Sequence, residues 1–70
     1  MTPIDIGKTI RAARKAQGLR QDQLAAAANV GVRFLIELEA GKPTAQLGKT
    51  LVVLATLGVR ITLTPPVGAN

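Results

Sequence analysis

The side chains that could do chemistry in this sequence are few, and their types favour binding over catalysis. The chain contains no cysteine, histidine, tyrosine or tryptophan, which removes thiol chemistry, the usual zinc ligands and the commonest general base. The four acids are scattered rather than paired for acid–base work, and they are Asp5, Asp22, Glu37 and Glu39. We therefore expect neither an enzyme nor a metal site, and no cofactor.

The charge balance of the chain favours a polyanionic partner. Nine lysines and arginines against four acids give a formal net charge of +5. Many small basic proteins bind nothing specific, so the charge alone does not decide the function. Because no apolar run reaches the ~18 residues of a membrane span and the N-terminus lacks a signal-peptide pattern, we expect a cytoplasmic protein without a membrane segment.

The stretch NVGVRFLIELEAGK, residues 29–42, carries the most informative pattern of side chains. At ~100° per residue, three of its residues share one side of a helix and four share the opposite side. The first group is Gly31, Leu35 and Leu38, and the second is Arg33, Ile36, Glu37 and Ala40. The pattern predicts a helix with one buried side and one exposed side that carries a single cation.

Capping and breaking residues predict the helices that position this stretch. Thr2 and Asp5 have the spacing of a capping box, and a first helix runs from Pro3 to about Gln17. Gln21 to Ala28 forms a short second helix rich in alanine, which lets a neighbouring helix approach closely. Residues 29–31 form the turn, and the third helix runs from Val32 to a stop at Gly41.

A fourth helix follows, and then the sequence period changes. Thr44 can cap this helix, Gly58 ends it, and four leucines form its expected buried stripe, namely Leu47, Leu51, Leu54 and Leu57. Arg60 to Thr64 alternate polar and apolar residues, which is typical of a strand, and two prolines stop it. The expected layout is a helical domain over residues 1–58, a strand over 59–64 and a flexible tail over 65–70.

The predicted strand has no partner strand elsewhere in the sequence. A two-fold axis would let it pair antiparallel with its own copy and would bury Ile61 and Leu63 of both chains. Val53 and Leu57 are the further residues expected at this dimer interface. The alternative is that residues 59–64 are a frayed tail that happens to alternate.

The order of these motifs resembles a known family. QDQLAAAANVGVRFLIELEAGKPT is similar to the Xre, or Cro/cI-type, helix-turn-helix, in which a Gln opens the second helix, "LA" follows and "E-x-G-K" closes the third. Ile6 to Pro66, with "GKPT" and "LATLGV", resembles the HipB-like antitoxin branch. The resemblance implies an all-α, lambda repressor-like domain of four helices with a C-terminal β-strand that pairs across a homodimer.

The resemblance also implies residue roles in binding double-stranded DNA. Gln21 would hold a phosphate and Lys42 would lie beside the DNA backbone, while four positions would face the bases, namely Val32, Arg33, Ile36 and Glu37. Gly31 is a further position expected at the DNA. Plainer roles remain open: Gln21 could merely satisfy the start of its helix and Lys42 could be a solvated charge. Val32 and Ile36 could be stray surface apolar residues, and a structural role is expected for Glu39.

Several positions depart from the family pattern. Arg20 stands where Thr or Ser is usual, so the second helix loses its side-chain cap and gains a cation. Val32 and Ile36 replace residues that are commonly polar in the family. Base contacts would then be limited to hydrogen bonds from Arg33 to a guanine and apolar contacts with thymine methyl groups. Val52 lies off the leucine stripe and could widen the dimer contact or meet a second protein.

These expectations combine into one functional hypothesis with two alternatives. The resemblance implies a homodimeric repressor that binds an inverted-repeat operator and serves as the antitoxin of a HipA-like kinase toxin, autoregulating its operon. A stand-alone repressor without a toxin is the first alternative. The second is a protein-interaction module whose degenerate recognition helix no longer reads DNA.

Overall fold

The structure, a computed structural model, describes residues 1–68, and the part of the chain that it describes forms four helices. These are α1 (Pro3–Ala16), α2 (Gln21–Ala28), α3 (Val32–Glu39) and α4 (Leu47–Thr56). α3 packs against both α1 and α2, and α4 packs against α2. Among the described residues, no helix is long and apolar enough to cross a membrane. The predicted helical domain is confirmed in its element order.

The start of α1 is the predicted capping box. The Thr2 hydroxyl accepts a hydrogen bond from the Asp5 backbone N–H, and the Asp5 carboxylate accepts one from the Thr2 backbone N–H, both at 3.1 Å. The hydrogen bond from the Thr2 side chain is the main cause that lowers the pKa of Asp5 below its ordinary value. The helix ends before Gly18, whose φ of +70° is the left-handed conformation expected of a helix stop.

A tight turn joins the end of α2 to the start of α3. As expected, the Arg20 side chain does not cap α2. The Gln23 side chain supplies the other half of a capping box, because its Oε1 accepts from the Arg20 backbone N–H at 2.9 Å. Asn29 ends α2 in the left-handed conformation, with φ of +56°, and Gly31 is the N-cap of α3.

The core is small and aliphatic. It contains one residue of α1, three of α2, two of α3 and three from α4 and its C-cap, namely Ile10, Leu24, Ala25, Ala28, Leu35, Leu38, Val53, Leu54 and Leu57. The alanines of α2 keep this helix close to its neighbours, as the sequence indicated. Burial of these nine side chains is the main apolar contribution to folding.

The predicted buried stripe of α4 is wrong in its first half. Leu47 and Leu51 are 70% and 45% exposed, whereas Thr50 and Val53 are buried. Thr50 tolerates burial because its hydroxyl donates to the Gln46 carbonyl at 2.8 Å. The N-cap is Gln46 rather than Thr44, so α4 starts two residues later than its expected cap implied.

Two residues expected at a dimer interface lie in the core of their own chain. Val53 is 0% exposed and Leu57 is 6% exposed. Neither side chain is available to a second copy, so the expectation is corrected for both. Val52, on the same helix, is exposed.

The C-terminal segment carries the remaining apolar residues expected at the interface. Ile61 is partly exposed and Leu63 is 88% exposed. Within residues 1–68, Arg60 to Pro66 form neither helix nor strand. A strand in this segment needs a second chain, so the strand stays a prediction. Of the expected tail over 65–70, residues 69 and 70 lie outside the described residues.

Close packing of α1 on the end of α3 depends on a residue without a side chain. A Cβ atom added to Gly7 would lie 2.6 Å from the backbone carbonyl oxygens of both Leu38 and Glu39. These oxygens belong to the backbone, so they cannot rotate away as a flexible side chain would. Gly7 therefore sets the distance between the two helices.

We predict that Gly7→Ala lowers the free energy of unfolding by about 1–3 kcal/mol, because the new methyl group forces α1 away from α3. Gly48→Ala is the matched control, since Gly48 lies in α4 with no atom within 4 Å of its Cβ position. The control should stabilise the protein by about 0.5–1 kcal/mol through helix propensity. Urea denaturation measures both, and equal effects would contradict the packing argument.

Candidate nucleic-acid interface

The outer face of α3 consists of Val32, Arg33, Ile36, Glu37 and Ala40, and it stands clear of the core. The Arg33 side chain is 94% exposed, and Val32 and Ile36 are 41% and 47% exposed. Leu35 and Leu38, on the opposite side, are buried. The two-sided helix read from the sequence is therefore confirmed. Its outer face presents one fully solvated cation between two aliphatic side chains.

The turn before α3 leaves the N-terminus of the helix exposed to solvent. The Val30 backbone N–H donates to the Ala25 carbonyl at 3.0 Å, which closes the end of α2. Gly31 has no atom within 4 Å of its Cβ position, so the space beside the N-terminus of α3 is unobstructed. A large ligand can approach Gly31 and Val32 together.

A buried ion pair fixes the end of α3 to α1. Arg14 Nε donates to Glu39 Oε2 at 2.8 Å, and its Nη2 donates to Glu39 Oε1 at 3.0 Å. Arg14 Nη1 donates to the Leu19 carbonyl at 2.8 Å. The structural role expected of Glu39 is consistent with these contacts. Arg14 is a residue that the sequence reasoning missed.

Gln21 belongs to the same polar cluster. It is the first residue of α2, it is half-buried, and its Nε2 donates to Glu39 Oε1 at 3.3 Å. That contact holds the amide group in one orientation and leaves its second N–H available. An amide N–H is a suitable donor to a phosphate oxygen.

An open polar cleft of about 310 Å³ separates this cluster from the outer face of α3. Gln21 lines it on one side, Ile36 and Ala40 line it on another, and Arg11 of α1 completes it. Arg11 is a second cation that the sequence reasoning missed. The only sequence signal for it is its position three residues before Arg14, which is one turn of α1.

A second charged cluster lies at the other edge of α3. Glu37 Oε1 lies 3.5 Å from Arg33 Nε, and Glu37 Oε2 accepts a hydrogen bond from Lys42 Nζ. The hydrogen bond and the charge of Lys42, followed by those of Arg33, lower the pKa of Glu37. These three expected site residues are brought together in a single cluster.

A further cation stands beside this cluster. Lys49 of α4 has its Nζ 5.6 Å from the centre of the Phe34 ring, which is within range of a cation–π contact. A cleft of about 290 Å³, lined by Arg33, Phe34, Lys42 and residues 44–46, lies in the same region. Lys49 was not among the expected site residues. It adds positive charge on the Lys42 side of α3.

The arrangement of these groups suits a long anionic ligand. Gln21 and Arg11 lie on one side of the outer face of α3, and Lys42 lies on the other. Between them the face offers one cation that can donate two parallel hydrogen bonds and two apolar side chains. Two short helices joined by a tight turn, with the second helix standing free, define the helix-turn-helix class of DNA-binding folds.

Comparison with known proteins identifies the family. Residues 10–63 match the helix-turn-helix family, so the chain belongs to that family. The chain is 60% identical over 65 residues to an uncharacterized HTH-type transcriptional regulator, y4mF, of Sinorhizobium fredii (strain NBRC 101917 / NGR234). The matched region covers 93% of this chain and 86% of that protein. The helix-turn-helix expectation is confirmed, and the HipB-like branch stays a prediction.

We predict that the buried ion pair responds to mutation as a unit. Glu39→Gln leaves the Arg14 charge buried and poorly paired, so it should lower the free energy of unfolding by about 3–5 kcal/mol. A loss of that size leaves much of so small a domain unfolded even without urea. Replacing both partners, as Arg14→Met with Glu39→Leu, should restore much of the stability, because no buried charge remains. Glu37→Gln is the matched control at an exposed pair and should change the free energy of unfolding far less, because solvent screens that pair.

Urea denaturation followed by circular dichroism measures these three proteins. If Glu39→Gln proves no more destabilising than Glu37→Gln, the ion pair does not have the structural role assigned to it. The double variant should also keep the fold while it removes the Glu39 carboxylate, which orients Gln21.

Proposed function

We propose that this chain is a sequence-specific DNA-binding transcriptional repressor that acts as a homodimer in the cytoplasm. The chain belongs to the helix-turn-helix family and is similar to a transcriptional regulator. Both findings support a DNA-binding regulator. The observation that carries the proposal is the outer face of α3, which is exposed along its length and has basic or amide groups at both edges.

In this proposal α3 enters the major groove. Arg33 donates two hydrogen bonds to O6 and N7 of a guanine, and Val32 and Ile36 contact thymine methyl groups. Gln21 and Lys42 contact phosphates on either side of the groove, which fixes the orientation of the helix without reading sequence. Gly31 lets the N-terminus of α3 come close to the DNA.

The proposed DNA contacts of these side chains can be tested by salt dependence and by mutation. Affinity for duplex DNA should fall with salt, with a log–log slope of roughly −0.9 per phosphate neutralised. Arg33→Ala should cost about 1–3 kcal/mol on the preferred site and relax the preference at one base pair per half-site. Lys42→Ala should weaken binding to all sequences alike and reduce the salt slope.

Fluorescence anisotropy with a preferred duplex and a random duplex tests both variants. Binding that does not change with salt argues against the DNA proposal as a whole. If Arg33→Ala loses the same affinity on both duplexes, this side chain contacts the DNA backbone instead of a base.

The dimer is proposed on the C-terminal segment. Ile61 and Leu63 are exposed on alternate positions of a segment that has no secondary structure within the described chain. Beside Ile61 lies an apolar cleft of about 120 Å³ whose walls include Ile6, Leu54 and Val59. A second copy that covers this cleft would remove the exposed parts of Ile6, Val59 and Ile61 from water.

Pairing centred on Thr62 gives this contact a specific geometry. In an antiparallel pair with that centre, Ile61 lies opposite Leu63 of the second copy, and the reverse pair follows by symmetry. Both side chains face the same side of the two-stranded ribbon. Leu63 of the second copy would then lie next to the cleft, and Arg60 would lie opposite Thr64 rather than opposite another arginine.

We predict that the protein sediments as a dimer with twice the 7.3 kDa chain mass at micromolar concentration. Ile61→Pro should shift it toward monomer and lower both the melting temperature and DNA affinity, because it removes a backbone donor and an apolar contact. Val67→Pro, outside the paired segment, is the control. A stable wild-type monomer would contradict the strand pairing.

A dimer of this kind reads DNA twice. The two copies of α3 would be held at a fixed separation, so the operator should be an inverted repeat. Its half-site centres should lie roughly 10 bp apart or a multiple of that.

We further propose that the protein is the antitoxin of a HipA-like kinase toxin and represses its own operon. The support is the resemblance of "GKPT" and "LATLGV" to the HipB-like branch. A stand-alone repressor is the alternative. A gene for a HipA-like kinase beside this one, whose product co-purifies with the protein, would support the antitoxin role, and a neighbourhood without such a gene would favour the alternative.

A further inference from the structure

The outer face of α3 carries a negative charge at a position that faces the proposed DNA. Glu37 is one-third exposed, whereas Glu39, two residues later, is buried against Arg14. A carboxylate at this position opposes binding to a polyanion, because DNA carries a phosphate charge every 3.4 Å along each strand. The chain has only four acids, so one of them on this face calls for a physical account.

The two oxygens of the Glu37 carboxylate have different partners. Oε2 is engaged by Lys42 Nζ, and this contact also makes the largest contribution to lowering the pKa of the carboxylate. Oε1 lies 3.5 Å from Arg33 Nε, which is too long for a strong hydrogen bond. The Arg33 pair also has the less favourable order, with the cation N-terminal to the acid. Arg33 can therefore leave Glu37 at small cost. One N–H of the Lys42 ammonium keeps the carboxylate in position, and its other two donors remain available to a phosphate.

We propose that Glu37 is a specificity-determining residue that selects cytosine. When Arg33 moves from Glu37 to a guanine, Oε1 accepts a hydrogen bond from the N4 amino group of a cytosine. This inference rests on the proposed DNA-binding function and adds a second base-specific contact to it.

Donor and acceptor chemistry gives the selectivity. In the major groove, cytosine offers an amino donor and no acceptor at its edge, whereas adenine places its N7 acceptor beside its amino donor, and guanine and the O4 of thymine offer acceptors. Each of these acceptors repels a carboxylate. On random DNA, Glu37 gains no donor and still repels phosphates. The residue therefore lowers affinity for random DNA as well as raising it for the correct site.

Helix geometry fixes the distance between the two contacts. Arg33 and Glu37 are four residues apart, which is about 6 Å along the axis of α3 at about 1.5 Å per residue. Divided by the spacing of about 3.4 Å per base pair, this separation corresponds to one or two base pairs. The cytosine should therefore lie one or two base pairs from the guanine that Arg33 reads.

Selection of preferred sites from a random duplex pool, with the full chain, tests the proposal. Glu37→Gln removes the charge and introduces an amide that prefers adenine. We expect the preference at one position per half-site to change from cytosine to adenine, with roughly tenfold discrimination. Glu37→Ala should lose the preference at that position without gaining another, and both variants should bind random DNA several-fold more tightly than the wild type.

Asp22→Asn is the matched control. Asp22 forms an exposed pair with Arg20 at 3.1 Å on α2, and removing it changes the net charge by the same amount. This control should keep the cytosine preference. If Asp22→Asn and Glu37→Gln raise the affinity for random DNA equally and both keep the wild-type base preferences, Glu37 acts only through net charge and the inference is overturned.

The experiment separates this inference from the proposed function. A wild-type protein that binds no duplex DNA overturns both. A wild-type protein that binds DNA with the expected salt dependence, while Glu37→Gln selects the same bases, overturns the cytosine contact and leaves the DNA-binding function standing.

Discussion

The buried pair of Arg14 and Glu39 is the constraint on which the rest of this small domain depends. The two side chains are 10% and 4% exposed, and removing two such charges from water costs several kcal/mol per ion. The cost is offset only if the donors and acceptors meet in one geometry, as they do here through two parallel hydrogen bonds and the Leu19 carbonyl. Rotation of α3 about its axis would break these bonds and leave a buried charge unpaired. The ion pair therefore acts together with the burial of Leu35 and Leu38 in setting which side of α3 faces solvent.

The same constraint connects the fold to the proposed phosphate contact. Glu39 also accepts from Gln21, so the first residue of α2 is oriented by the last residue of α3. The absence of a side chain at Gly7 lets α1 lie directly on the final carbonyl groups of that helix. A core of nine aliphatic side chains would supply only ~3–5 kcal/mol of net stability. Polar contacts that specify one arrangement of the helices are therefore more important here than in a larger domain.

The sequence predicted the parts of the fold that depend on local chemistry. The capping box of α1, the limits of α2 and the two sides of α3 follow from residues close together in the chain, and all three are confirmed. The side of α4 that is buried does not follow from local sequence. Its four leucines indicate one buried stripe, but the packing against α2 decides which residues are buried. Thr50 occupies a buried position since its hydroxyl bonds within its own helix, a possibility that hydrophobic periodicity ignores.

The candidate site could be predicted where side chains point outward and not where charges meet across the fold. The helical period predicted that Arg33, Ile36 and Glu37 share an exposed side, and the family resemblance implied that they face the bases. The partners of Glu37 and Glu39 became known only from the structure. Arg14 lies four residues after Ile10, on the buried side of α1, and a cation at that position indicates a buried acid elsewhere. The sequence does not say which of the four acids it is.

Glu37 and Glu39 illustrate how the fold gives two identical side chains different uses. They are two residues apart, so they point about 200° apart around α3. Glu39 points toward α1, where low exposure makes its hydrogen bonds strong and its loss costly. Glu37 points toward solvent, where its ion pairs contribute little to stability and can be exchanged for a ligand. Glu39 helps to set the orientation of α3, and that orientation places Glu37 on the exposed face, where we propose that it acts in recognition.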